Sequence, residues 1–225
     1  MADPAGGARV KLWDAPTRLT HWALVALVAF SWFTAETERM ALHRLSGYAV
    51  LALVVFRILW GFVGSSSARF ASFVKGPRRT FAYLRTLGRR SPSQVPGHNP
   101  AGGWSVLAML LVLAAQVGLG LFAVDVDGLE SGPLSHLVSF DDGRIYAERH
   151  ELVFNVLLAL IGLHVAAVVF YLVYKRDNLV GPMITGVRRF AGEGPTVGIA
   201  PAWRLLLCAA LAGGLAWWVS KGLGT

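Results

Sequence analysis

Five long apolar stretches constrain this chain more than any other feature. They cover residues 19–35, 45–63, 104–124, 152–174 and 202–219 of 225. Each is close to the roughly 20 residues that cross about 30 Å of hydrocarbon, the first being the shortest. The runs are too long, too rich in Leu and Ala, and too little alternating for strands. A segment in lipid must satisfy its own backbone hydrogen bonds, so the stretches predict five membrane-spanning helices. Composition agrees: 55% of residues are hydrophobic and 15% charged, against about a quarter charged in a soluble domain. Arg9, Lys11 and Arg18 ahead of the first stretch resemble the start of a signal peptide. However, Thr34-Ala35-Glu36-Thr37 is a poor cleavage site, so this span is expected to be retained.

The formal net charge of +8 invites a nucleic-acid reading until its placement is followed. Fifteen of the basic residues fall before the first span, in the acid-free loop 64–103, or after the fourth span. Only Arg39, Arg44, Arg144, Arg149 and Lys221 fall on the other side, and Arg57 lies within a span. Positive charge is retained on the cytoplasmic side, so the N-terminus is expected inside and the C-terminus outside, with no nucleic acid involved. The outer loop 125–149 is acidic, and residues 77–87 read as a helix lying on the inner membrane surface. The single cysteine, Cys208, excludes a disulfide framework and covalent C-x-x-C-H haem attachment. No nucleophile motif, zinc signature or phosphate loop supports hydrolysis or group transfer.

Histidines carry the chemical signal. Ionisable groups inside a membrane are rare and functional by default. His21 opens the first span at the inner face; His43 and His150 open the second and fourth at the outer face. His164 follows His150 by fourteen residues, which at about 1.5 Å rise places it about 21 Å deeper and within about 40° of the same helical face. Two histidines therefore share the outer level and two the inner. Stacked pairs of imidazoles on facing helices are what two b-type haems require, one ligand on each side of each iron. Gly47, Gly118, Gly120 and Gly162 lie near these levels, where a flat macrocycle needs close backbone approach; packing between helices is their alternative role. Arg57, fourteen residues after His43, suits a haem propionate or an interface anchor. Arg18 and Arg44 present the same two options. His98 and His136 read as surface residues. A divalent-metal transporter would need its ligands clustered at one depth, which this pattern disfavours.

The segments Trp13-Asp14-Ala15-Pro16-Thr17-Arg18-Leu19-Thr20-His21-Trp22, His43-Arg44-Leu45-Ser46-Gly47-Tyr48 and Phe56-Arg57-Ile58-Leu59-Trp60-Gly61 resemble the prokaryotic cytochrome b561 family. His98-Asn99-Pro100, His150-Glu151-Leu152 and His164-Val165 extend the match. That family is similar to the cytochrome b subunit of nickel–iron hydrogenases. The resemblance spans about residues 10–189. It implies an all-α integral membrane protein whose four-helix bundle binds two haem b groups, with a fifth C-terminal span outside the matched part. It also implies that His21 and His164 ligate the inner haem and His43 and His150 the outer. The expected organisation is a di-haem domain over 1–190 and a linker with the fifth helix over 191–225. The expected function is electron transfer in a bacterial cytoplasmic membrane between a quinone such as ubiquinone and a periplasmic redox protein such as a c-type cytochrome. The alternatives are a membrane anchor of a hydrogenase-like complex and a superoxide:quinone oxidoreductase. A quinone site is expected near the inner haem, around His98, Asn99 and Arg57.

Overall fold

The computed structural model describes residues 7–90 and 97–224. In chain order the elements are β1 (Gly7–Lys11), α1 (Ala15–Glu36), α2 (Met40–Val63), α3 (Phe70–Phe73), α4 (Pro77–Leu84), α5 (Pro100–Phe122), α6 (Phe140–Val173), α7 (Val180–Thr185), β2 (Val187–Ala191) and α8 (Ala202–Ser220). Among the described residues, α1, α2, α5, α6 and α8 are long and apolar enough to cross a membrane. The chain is an all-α integral membrane protein with these five spans, and it carries one short ribbon outside them.

Local chemistry sets the helix ends. Asp14 caps α1: its Oδ1 accepts the Thr17 backbone N–H at 2.9 Å, meeting one of the orphan donors of a first turn. Pro77 sits in the first turn of α4, where its missing N–H costs nothing. The surface helix is shorter than the sequence suggests, ending at Leu84. α6 begins at Phe140, twelve residues before its apolar stretch. Ser139 and Asp142 explain this early start. The Ser139 hydroxyl accepts the Asp142 N–H at 3.1 Å and donates to its carboxylate at 2.7 Å, an N-cap that starts a helix in polar sequence. At about 1.5 Å per residue the 34 residues of α6 span about 51 Å, well beyond the hydrocarbon thickness.

The ribbon is the element that composition does not announce. β1 pairs antiparallel with β2, Arg9 opposite Arg189 and Lys11 opposite Val187. Gly186 makes the preceding turn with φ of 81°, and its carbonyl accepts the Leu12 and Trp13 N–H groups at 2.8 and 3.1 Å.

The chain divides into two compact units, to which all five long helices contribute. A basic unit gathers residues up to Leu19 with Leu59–Leu107 and Ile161–Leu205; an acidic unit gathers Thr20–Ile58, Ala108–Leu160 and Leu206–Thr225.

Candidate haem-ligand site

In the acidic unit, His43 on α2 and His150 on α6 stand with ring centres 6.0 Å apart and planes at 84°. With about 2 Å from a metal to an imidazole nitrogen, two axial imidazoles on one iron put their ring centres about 6 Å apart. The separation therefore fits a shared iron. Among the described residues no three His, Cys, Asp or Glu side chains cluster as a metal cage. What the pair offers is two facing imidazole donors.

The hydrogen bonds fix which nitrogen is available. His43 Nδ1 lies 2.9 Å from the Ser31 carbonyl of α1, and His150 Nδ1 lies 2.8 Å from the Gln116 carbonyl of α5. A carbonyl only accepts, so each Nδ1 carries the proton and each Nε2 keeps its lone pair. Metal-bound imidazoles show the same pattern, with the second ring nitrogen donating to a carbonyl or carboxylate. Both acceptors sit inside helices. A carbonyl oxygen has two lone pairs, so it takes the imidazole without giving up its helical bond. The Gln116 side-chain amide also donates to His150 Nε2, at 3.0 Å; this amide and an iron draw on the same lone pair.

A small hydroxyl cluster braces His43. Ser46 donates to the His43 carbonyl at 2.9 Å and meets the Ser31 hydroxyl at 2.5 Å. With its own proton spent, Ser46 accepts from Ser31. Thr34, fully buried, donates to the Ser31 carbonyl at 2.9 Å, the oxygen that His43 also uses. On the other side, Gly120 gives His150 its room. A Cβ there would lie 2.8 Å from His150 Cε1 and 3.1 Å from Nδ1. Gly47 and Gly118 in this unit, and Gly162 in the basic one, each face open space where a Cβ would meet nothing within 4 Å, a fit to a flat ring beside the backbone.

The other predicted site residues lie as follows. His21 packs edge-on against Trp22, ring centres 4.9 Å apart. His164 is half-buried on α6. Arg57 is buried on α2, at 7% exposure. Arg44, beside His43, pairs with Glu130 of the acidic loop. Arg18 in the basic unit donates to the Ile184 carbonyl at the end of α7. Each of these two guanidiniums thus has a protein acceptor besides any propionate.

The basic unit holds polar groups that the sequence did not single out. Trp60, at 2% exposure, donates to Asp14 Oδ2 at 2.9 Å. Tyr83 and Tyr171 meet hydroxyl to hydroxyl at 2.5 Å, and Asn99 Nδ2 donates to Tyr171 at 3.0 Å. The Asn99 oxygen accepts the Gly102 N–H at 2.8 Å, so this amide serves its helix and Tyr171. His98 is not a surface histidine: it packs between Trp13 and Phe73, at 4.7 and 4.6 Å. His136 is exposed. Lys175 reaches the Arg89 carbonyl at 2.5 Å and Tyr174 the Gly88 carbonyl at 2.8 Å, fastening the loop to the end of α6.

A family model described as prokaryotic cytochrome b561 matches residues 12–186. The chain belongs to the prokaryotic cytochrome b561 family. It is therefore a membrane b-type cytochrome, a class that works in electron transport with haem b. Three curated relatives carry the same description, probable Ni/Fe-hydrogenase B-type cytochrome subunit. Those of Azotobacter chroococcum mcd 1 and Azotobacter vinelandii are each 24% identical, covering 83% of this chain and 91% of the relative. That of Rhizobium leguminosarum bv. viciae is 23% identical, covering 80% and 89%. No solved structure matches the chain significantly.

The family match covers His21, His43, His150 and His164 alike. Sequence reasoning missed Ser31, Thr34, Ser46 and Gln116. One signal was present: Gln116 is the sole amide side chain in the apolar run 104–124, and a polar group in a span calls for a partner.

Proposed function

We propose that this chain is a di-haem cytochrome carrying electrons across a bacterial cytoplasmic membrane, between the quinone pool and a periplasmic redox protein such as a c-type cytochrome. The observation that carries the reading is the His43–His150 pair, 6.0 Å apart, with both Nδ1 protons committed to main-chain carbonyls. Haem b bound there supplies a one-electron ferric–ferrous couple, tuned by its ligands and burial. His43 and His150 would hold it through Nε2. The Ser31 and Gln116 carbonyls hold the tautomer, and Gly47 and Gly118 leave room beside the backbone.

The second haem is assigned to His21 and His164, on helix arithmetic and the family resemblance. Arg57 is assigned to a propionate, since a buried guanidinium calls for an anion. Arg18 and Arg44 keep guanidinium donors beyond those used by Ile184 and Glu130, and serve propionates with them. Residues 1–190 form the di-haem portion; 191–225 add a linker and the fifth helix. Lys and Arg placement puts the N-terminus and the basic loop in the cytoplasm and the C-terminus in the periplasm.

A second reading is favoured by the relatives' descriptions: a cytochrome b subunit of a larger hydrogenase-like complex. Stably co-purified partner subunits distinguish it from a free-standing carrier.

The test is haem per chain, by pyridine haemochrome, with reduced-minus-oxidised spectra of pure protein. Wild type is expected to carry two b haems, and His43→Ala or His150→Ala one. Undiminished haem in both variants sinks the assignment of this pair.

A further inference from the structure

The acidic loop ends in a braced, apolar tip, and the electron-transfer reading does not use it. Leu129 is 85% exposed and Val126 71%. Both sit on a hairpin turn outside every long helix. Val124 bridges Ser131, and the Asp125 N–H donates to the Glu130 carbonyl at 3.0 Å. Gly128 closes the turn with φ of 72°. Phe140, 53% exposed, stands beside the turn: a Cβ on Gly128 would lie 3.4 Å from its ring.

The base of the hairpin is tied down. The Gly132 N–H donates to the Ala123 carbonyl at 2.8 Å and the Leu134 N–H to the Leu121 carbonyl at 2.9 Å, so the chain crosses the end of α5. Glu130 pairs with Arg44, the neighbour of His43. Arg144 donates to the Val124 carbonyl at 3.0 Å. Arg44 is matched by Glu130 and Arg144 is only partly exposed, whereas Asp127 in the turn and Asp141 and Asp142 beside Phe140 are exposed carboxylates. An apolar centre with an acidic rim repels anionic lipid and attracts a protein of opposite rim charge.

We propose that the 124–131 hairpin and Phe140 form the landing surface for a soluble electron-transfer protein whose exposed cofactor edge is ringed by basic side chains. This rests on the function proposed above and adds to it the partner's chemistry and the side chains it meets. The surface is small and charge-steered, which suits a brief encounter: weak redox complexes occupy the low end of interface areas, and rim charges act mainly on the on-rate.

The experiment uses the full chain, haem-loaded, in nanodiscs of neutral lipid. The probe is a basic mitochondrial cytochrome c, with its zinc-substituted form for binding alone. Surface plasmon resonance reads the binding, and stopped flow reads oxidation of the chemically reduced protein. Wild type is expected to bind at low salt and to lose affinity as salt rises. Leu129→Ser is expected to weaken binding and slow oxidation about tenfold at unchanged haem content. Asp127→Lys is expected to do the same and to flatten the salt dependence. Binding that neither substitution alters overturns the proposal. So does binding that Asp127→Lys abolishes and Leu129→Ser leaves intact, since the apolar centre then plays no part. Light scattering that shows Leu129→Ser splitting a dimer overturns it in favour of a second copy. A chain that binds in the expected way yet carries no haem supports the landing surface and breaks the function reading instead, so the two failures are separable.

Discussion

The two units use polar groups in opposite ways. In the acidic unit they converge between regular helices onto two imidazoles, and the acceptors that orient those rings are main-chain carbonyls. In the basic unit they fasten irregular backbone to helix ends, and most of the work falls to side chains: Asp14 to Trp60 and the α1 cap, Asn99 to Tyr171 and Gly102, Lys175 and Tyr174 to the loop. The lesson is that a helix interior can still accept a hydrogen bond, because each carbonyl has a spare lone pair. Loops and termini have no ladder of their own and need side chains to satisfy them.

That contrast breaks or holds at four places. The largest effect is expected at Gly120. Gly120→Ala drives a methyl into His150 and is expected to cost one haem per chain, as His150→Ala does. Gly213→Ala on α8, which enters open space at a residue with no part in the ligand site, is expected to keep both; haemochrome assays of the two variants decide it. Next is Asp14→Ala, which removes a cap and the acceptor of the buried Trp60 N–H. The cap is worth about 1 kcal/mol and a hydrogen bond to a charged group about 1.5–3 kcal/mol. Thermal unfolding in detergent should therefore fall by several degrees, with haem per chain unchanged.

Thr34→Val is a subtler probe. It removes one of the donors that share the Ser31 carbonyl, leaving the imidazole and the helical N–H, so the His43 Nδ1–H bond strengthens. A stronger bond makes the imidazole a better donor to iron. One of two midpoint potentials is expected to fall in a redox titration while the other stays put; equal movement of both would contradict it. The smallest effect is at Glu38, whose φ of 56° is left-handed. The Arg39 N–H reaches back to the Thr34 carbonyl at 2.8 Å there. Glu38→Gly should gain up to about 1 kcal/mol of stability and move no potential.

Much of this architecture was written plainly in the chain. Crossing lipid demands contiguous apolar composition, so the five spans could be read directly. Helix periodicity is arithmetic, so the shared face of His150 and His164 followed from a count. The early start of α6 was legible too, in Ser139-Phe140-Asp141-Asp142, but the apolar run beginning twelve residues later is the louder signal. The ribbon was not legible: its strands are five residues each, seven of the ten basic or small, and they lie far apart in sequence. Nor were the partners of His43 and His150, because every residue has a carbonyl and sequence does not say which one faces a ring.

One consequence follows from the identity of those partners. A side-chain acceptor can be deleted by a single codon change; a peptide oxygen cannot. The ligand tautomer is therefore shielded from point mutation at positions 31 and 116, and only a shift of the rods themselves disturbs it. A site anchored this way tolerates extensive drift in the surrounding residues, which suits a lineage whose members share about a quarter of their amino acids.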